Sequence, residues 1–567
     1  MGPDVTFDEP PEPRERTVRS ERVQTPEHYP YLLSPQYWEK HHLLYTGIIG
    51  TWILIVAASI PMFVEMVANA PVWWAVGLLS IIALSLPVFW MFGLYNIFVT
   101  FIGFFCGKNP SRRDYREVKD TPVAIVYPTF NDFSPMHLDE SRQQDHEHTY
   151  TYIVDDSTDP DIIAEIDAYA AAREGVTVIR REGREGFKAG GLNHALEHVI
   201  DEPYFALMDA DEVLPDDFVS ETLMLFTDSD IGFVQANHDY NRGTATRFGK
   251  ALGIGVDVHW DIYQPLRNKY GFVMLLGHGA LIRSDVWKEI GGFPHLVSED
   301  LAFSTRAREF GYRGVFAPNV TCLEDFPVNY DAFRTRHKKW TGGSIEYITK
   351  ELPRFLKSEE PSLVEKLDVL IPTLQLPLTA VFMAYLLAVG ALELTTGTVV
   401  PVGVASPWFL TVVTIVTLLS PVYCYIIALW KRPLKLLHFV ATSTTVYCSV
   451  AVLAVAHGIK ILTPLEKAEF LTTPKTEGAM INWRQYWPTV AMGVVVMGIA
   501  ADSGLLIGAA ALTWLIAPLL AVYNRESPLG TVARVASLIP LVVMLTGIAW
   551  GTAMVLGLDP RLSLALQ

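Results

Sequence analysis

Apolar positions along this chain fall into two regimes. From Leu43 to Ala68, and again from Val72 to Cys106, they run almost without interruption, with only Asn69-Ala70-Pro71 between. A helix rises about 1.5 Å per residue, so about 20 apolar residues cross a hydrocarbon core of about 30 Å. Both runs are long enough, and the short turn predicts a helical hairpin. From Gly107 to about Lys366 the pattern becomes polar, with only short apolar stretches. Long apolar runs return at 367–392, 407–430, 436–462, 487–501, 503–523 and 530–556.

Inside the polar region, apolar stretches alternate with helix-like ones. Val123 to Tyr127 reads as a buried strand ended by Pro128, and Tyr150–Val154, Val176–Arg180 and Tyr204–Met208 read as three more. Asp161–Arg173 and Ala189–Val199 read as helices. This alternation predicts an α/β domain, a mostly parallel sheet covered by helices, inserted in a multi-span α-helical membrane domain. Ligands of such sheets bind beyond the carboxyl ends of the strands. Asp155-Asp156 and Asp209-Ala210-Asp211 stand at two such ends.

Basic residues set the orientation. Lys108, Arg112, Arg113 and Arg116 follow the second run, which places the large domain in the cytoplasm. Lys431, Arg432 and Lys435 mark a second cytoplasmic loop. The run 436–462 carries His438, His457, Lys460 and many hydroxyls, and is read as an interfacial or re-entrant helix. Seven crossings and an external C-terminus follow. Composition agrees: half of the 567 residues are hydrophobic and 19% are charged, below the roughly 25% of soluble domains. A formal charge of −17 argues against a nucleic-acid partner. The four cysteines form no CxxC pair and read as buried or lipid-facing thiols. No signal peptide is visible.

The chemistry concentrates in five places, each with a plainer alternative. Residues two apart in an extended chain point to one side, so Asp209 and Asp211 can converge on Mg²⁺ or Mn²⁺; an isolated D-x-D is otherwise a solvated turn. One carboxylate of Asp155-Asp156 can accept from a nucleobase or ribose, or the segment is acid before a helix capped by Ser157 or Asp159. Gly186 to Asn193 opens a helix in which Lys188 offers a point charge and the glycines a close approach, without P-loop spacing. In Ser298-Glu299-Asp300 an acid can deprotonate an attacking hydroxyl, or Ser298 caps a helix. Arg334, Arg336, His337, Lys338, Lys339 and Trp340 crowd one helix, either as a membrane-surface patch or as cations beside an aromatic plate for a sugar.

In this order the motifs resemble those of the processive membrane glycosyltransferases of family 2, the cellulose, mannan, chitin and hyaluronan synthases. Gly277-His278-Gly279-Ala280 fits the same series. Ser298-Glu299-Asp300 resembles the family's Thr-Glu-Asp, and Arg336 to Trp340 its Gln-x-x-Arg-Trp, with Lys339 where Arg is usual and Arg336 where Gln is usual. Phe470 to Lys475 resembles the gating loop of cellulose synthases. The resemblance spans roughly residues 120–475.

It implies a GT-A-type catalytic domain and an inverting transfer from a nucleotide-diphosphate sugar, a UDP-sugar favoured over GDP-mannose, to a growing polysaccharide. Asp300 is then the base. Asp209 and Asp211 hold the metal. Thr129, Asp155, Asp156, Lys188, Asp209, Arg336, Lys339 and Lys475 bind the donor, and Trp340, Glu299 and His278 the acceptor. The expected layout is a cytoplasmic tail (1–42), two membrane helices (43–106), the cytoplasmic catalytic domain with interface helices (107–366), two membrane helices (367–430), an interfacial helix and gating-like loop (431–486) and three membrane helices (487–567), in the plasma membrane and in contact with its lipid. The sequence specifies no partner subunit. One rival is single transfer of a sugar to a lipid phosphate. Another is a transporter, but Glu65, Glu393 and Asp502 lie near the ends of their runs rather than at mid-membrane.

Overall fold

The structure, a computed structural model, describes residues 40–105, 110, 112–396, 407–463, 481–503 and 505–555. The strands are β1 (Val123–Thr129), β2 (Thr149–Asp155), β3 (Val176–Ile179), β4 (Tyr204–Leu207), β5 (Glu212–Val213), β6 (Ile231–Tyr240), β7 (Ala280–Arg283) and β8 (Arg313–Glu324). They form one eight-stranded sheet in the order β3-β2-β1-β4-β7-β6-β8-β5. Neighbouring side chains on a strand face opposite ways. Val123, Ile125 and Tyr127 of β1 therefore enter one core, and Ala124 and Val126 the other. Burial on both faces is why β1 reads as an unbroken apolar run.

The four strands expected from sequence are present. They form the parallel half of the sheet, with β1 between β2 and β4 and β3 outside β2. Beyond β4 the sheet is mixed. β7 runs antiparallel to both β4 and β6, while β6 and β8 are parallel. β5 closes the edge antiparallel to β8, pairing Glu212 with Glu324.

Helices lie where the strand ends need them. Asp159 caps the helix Pro160–Ala171 by accepting from the Asp161 N–H at 2.9 Å. Helix Phe187–His198 starts after β3 and is drawn tight at Gly190, where a Cβ would lie 1.9 Å from the Glu185 carbonyl oxygen. Helix Glu299–Glu309 follows Ser298, but the Ser298 side chain makes no capping hydrogen bond, so capping does not account for that serine. Helix Tyr330–Lys350 is capped by Asn329, which accepts from the Ala332 N–H at 2.9 Å.

Among the described residues, five helices are long and apolar enough to cross a membrane: Leu43–Ala68, Ala75–Gly103, Leu378–Thr396, Pro433–Leu462 and Pro528–Ala549. A sixth candidate is the pair Phe409–Leu418 and Ser420–Leu429, bent by 51°. Pro433–Leu462 qualifies by length and composition although its sequence suggested an interfacial helix. It breaks at Val450, and its second half packs on helix Tyr330–Lys350. Tyr447, just before the break, meets the His337 ring edge-on at 5.4 Å. The sheet domain and the apolar helices of the chain thus meet along that helix.

Candidate active site

The strand ends β1, β2 and β4, the β7 approach and helix Tyr330–Lys350 enclose a cavity of about 270 Å³. Its wall carries Thr129, Asp156, Lys188, Asp209, Asp211, His278, Glu299, Asp300, Arg336, Lys339 and Trp340. Eleven positions singled out from sequence, separated by up to 211 residues, therefore meet in one place.

One does not join them, and one lies outside the described residues. Asp155 is buried under the wall, where its carboxylate accepts from the Ser157 N–H at 2.9 Å and pairs with Arg180 at 2.7 Å. Its neighbour Asp156 reaches the cavity, but Arg181 holds it with two hydrogen bonds of 3.0 and 2.7 Å. Lys475, with the segment Phe470–Lys475, lies outside the described residues. Asn193, in the same motif as Lys188, serves packing: it accepts from the Phe293 N–H at 2.8 Å and the Trp287 indole at 3.1 Å.

Charges are arranged with care for burial. Lys188 Nζ donates to Asp209 Oδ1 at 2.5 Å and to the Gly277 carbonyl at 2.7 Å. Burial works against a charge on Asp209, but Lys188 and His278 pull its pKa down to about 2. Burial likewise opposes a charge on His278, yet Glu212 at 3.2 Å, with Asp209 and Glu324, pushes it up to about 10. Asp300 and Glu299 move the other way. Burial raises both carboxyls above their usual range, and for Glu299 the adjacent Asp300 adds to the rise. A raised carboxyl is a stronger base than a solvated one. Asp300 is held by the Leu301 N–H, which donates to Oδ1 at 2.7 Å.

Helix Tyr330–Lys350 brings the cations. Arg336 is flanked by three rings, with its guanidinium carbon 4.6 Å from the Trp340 centroid, 4.8 Å from Phe326 and 5.7 Å from Phe333. Its Nε is buried without a hydrogen-bond partner, a donor aimed at a site that expects an acceptor. Trp340 is 43% exposed, so a large aromatic face remains open. Arg334 and His337, from the same run, are buried on the far side of the helix, and Arg334 donates to the Gln485 carbonyl at 3.1 Å.

The structure adds residues that sequence reading passed over. Phe130, Asp132 and Arg184 line the cavity beside Thr129, with the Arg184 guanidinium 3.2 Å above the Phe130 ring. Glu324 and Asp325 arrive from the end of β8. The Asp325 N–H donates to the Asp211 carbonyl at 2.9 Å, tying that end to the D-x-D. An acidic pair ending an apolar strand was the available signal for these two, as it was for Asp209.

The cavity suits a divalent cation by its donor set. Its wall carries eight Asp or Glu residues against four Lys or Arg and His278. Hard carboxylate oxygens at the D-x-D match Mg²⁺ or Mn²⁺, which keep waters and bind through one or two carboxylates. Another set of metal-capable groups, Glu212, His238 and Cys322, lies within 4.8 Å of one another, all buried and none on the cavity wall.

Residues 204–451 match the family model described as "Glycosyl transferase family group 2". Residues 204–451 are thus similar to a family 2 glycosyltransferase domain. Among curated relatives, glucomannan 4-beta-mannosyltransferase 1 of Oryza sativa subsp. japonica is 27% identical over 227 residues, 38% of this chain and 44% of that protein. Glucomannan 4-beta-mannosyltransferase 1 of Cyamopsis tetragonoloba is 26% identical over 227 residues, 38% of this chain and 43% of that protein. The matched stretch thus spans less than half the length of these relatives. Among solved structures, the mannosyltransferase PcManGT from Pyrobaculum calidifontis, in complex with GDP-Man and Mn²⁺, aligns at 17% identity and a TM-score of 0.46, over 68% of this chain and 99% of its own.

Proposed function

We propose that the protein is an inverting membrane glycosyltransferase that polymerises hexosyl units from a nucleotide-diphosphate sugar into a β-linked polysaccharide and passes the product across the membrane. The observation that carries this reading is the single cavity in which the D-x-D, the buried Asp300 and the Arg336–Trp340 helix meet.

In this reading Asp209 and Asp211 hold Mg²⁺ or Mn²⁺. The ion, when bound, neutralises charge on the diphosphate leaving group. Lys188, Lys339 and the guanidinium of Arg336 add fixed positive charge beside that group, and Thr129 and Asp156 face the nucleoside. Asp155 supports the site from beneath through Arg180. Lys475 completes the cation set from the gating-like loop. Trp340 stacks on the terminal sugar of the acceptor, with Glu299 and His278 beside it. Asp300 takes the proton from the acceptor hydroxyl as that oxygen attacks the anomeric carbon from the face opposite the leaving group. The catalytic domain is cytoplasmic and the apolar helices lie in the plasma membrane, in the layout expected from sequence. A UDP-hexose is favoured as donor. The mannosyltransferase names of the curated relatives make GDP-mannose the first alternative.

The test supplies purified protein in lipid with Mg²⁺ or Mn²⁺ and labelled UDP-glucose, UDP-N-acetylglucosamine or GDP-mannose in turn, and sizes the product. A high-molecular-weight polymer from one donor supports the proposal and names the sugar. A single sugar on an extractable lipid overturns polymerisation and translocation. No transfer from any donor overturns the reading altogether.

A further inference from the structure

Directly after the D-x-D stands Glu212, on β5, fully buried and outside the cavity. A buried carboxylate is tolerated when its lone pairs are filled, and here four donors fill them. Oε2 accepts from the Asp209 N–H at 3.2 Å and from the Gly279 N–H at 3.1 Å. Oε1 accepts from His238 Nε2 at 2.7 Å and from His278 Nδ1 at 3.2 Å. His238 is itself packed against Trp260, ring centroids 4.1 Å apart.

These bonds close a circuit with those of Lys188. Glu212 grips the backbone of Asp209, and Lys188 grips its carboxylate. The same two side chains grip opposite ends of the turn Gly277–Gly279, Lys188 at the Gly277 carbonyl and Glu212 at the Gly279 N–H. That turn needs glycine at both ends, with φ of +87° and +57°. A Cβ on Gly279 would sit 2.4 Å from the His238 ring and 2.6 Å from Glu212 Oε1. A Cβ on Gly277 would sit 3.1 Å from Asp300 Oδ2. The turn is therefore a wedge, with Asp209 fixed on one side and Asp300 in contact on the other.

From this circuit we infer that Glu212 is a positioning residue, which sets the metal-binding Asp209 and the Gly277–Gly279 wedge in one rigid frame relative to Asp300. It is not a metal ligand with His238 and Cys322. The 2.7 Å between His238 Nε2 and Glu212 Oε1 is a hydrogen-bond length, whereas two ligands of one tetrahedral ion at about 2.0–2.3 Å stand about 3.3 Å or more apart.

The inference rests on the proposed glycosyl transfer, so wild-type protein in lipid is assayed first; failure of transfer there counts against that reading and not against Glu212. Two variants are then compared, Glu212→Gln, which keeps shape but turns an amide NH₂ toward the donors, and Glu212→Asp, which keeps charge but withdraws the carboxylate. Mn²⁺ binding is titrated without turnover, through loss of the free-ion EPR signal, with UDP or GDP present according to the donor that works. Supporting residues of a metal site change metal affinity or activity by about 10–100-fold. Both variants are expected to raise the Mn²⁺ dissociation constant by about tenfold and to lower kcat by a similar factor, while KM for the donor stays within about threefold. Folded variants with wild-type Mn²⁺ affinity and kcat overturn the inference. So does failure of both variants to fold, which makes Glu212 a core residue only.

Discussion

Replacing Asp300 by Asn removes a proton acceptor and little else. The amide oxygen still accepts from the Leu301 N–H, which lies 2.7 Å from Asp300 Oδ1. The side chain keeps its volume in a cavity of about 270 Å³. A general base contributes about 10²–10⁴-fold to rate, or about 3–5 kcal/mol. Burial raises the Asp300 carboxyl above its usual range, which strengthens it as a base, so the expected loss in kcat is about 10³-fold or more. Donor affinity should be spared, because Lys188, Arg336 and Lys339 are untouched, and stability should hold or rise as a like charge beside Glu299 disappears. Initial rates of label transfer, together with nucleotide binding by calorimetry and thermal melting of the same sample, separate these effects. An Asp300→Asn enzyme retaining more than about a tenth of wild-type kcat, a barrier change under about 1.4 kcal/mol, removes Asp300 as the base.

Lys188→Met leaves the Asp209 carboxylate without its partner. Asp209 keeps a third of its side chain exposed, so the cost is about 1–3 kcal/mol rather than that of a fully buried charge, and excess Mn²⁺ should recover part of it in melting curves. Glu299 ionises near pH 4.5 when unfolded but is pushed up to about 7 in the fold. Between those values the unfolded chain releases a proton that the folded chain retains, so stability falls as pH rises through that window. Glu299→Gln should lessen this fall, to which Asp257 and Glu309, each pushed up to about 6, also contribute, as denaturant midpoints at pH 5 and pH 8 will show. Trp340→Ala removes the open aromatic plate and should weaken acceptor use by about tenfold, giving shorter products at unchanged nucleotide affinity.

The legible part of this fold was its parallel half. β1 to β4 are short apolar runs, β1 ended by Pro128-Thr129, β2 and β4 by acid and β3 by Arg180, and both their place and the carboxylates after β2 and β4 could be read directly. β6 could not. Its buried positions include Gln235, Asn237 and His238, polar groups that bond to tertiary partners such as Glu212, which no local pattern announces. The antiparallel entry of β7 was equally hidden, since pairing of distant strands leaves no periodic trace. Within the site, eleven expected residues line the cavity, yet Asp155 reads the same in sequence as Asp156 and differs only because Arg180 lies beneath β2. Glu212 adjoins a motif that was recognised, but its burial depends on Gly279 and His238, which lie 67 and 26 residues away. Arg184 was invisible for a similar reason: only the approach of Phe130 shows that it faces the site.

The change of strand direction between β4 and β7 has a practical meaning. It divides the sheet into a parallel block that ends with β4 and a mixed block that begins with β7, joined along a single antiparallel seam from Tyr204/Arg283 to Leu207/Ala280. The family match begins at residue 204, at that seam. The cavity wall nonetheless draws on both blocks, with Thr129, Asp156 and Lys188 from before residue 204 and Asp209, Arg336 and Lys339 from after it. A chimera that exchanges residues 120–203 therefore keeps a working cavity only if its incoming segment supplies a lysine that still reaches Asp209 and the Gly277 carbonyl across the junction.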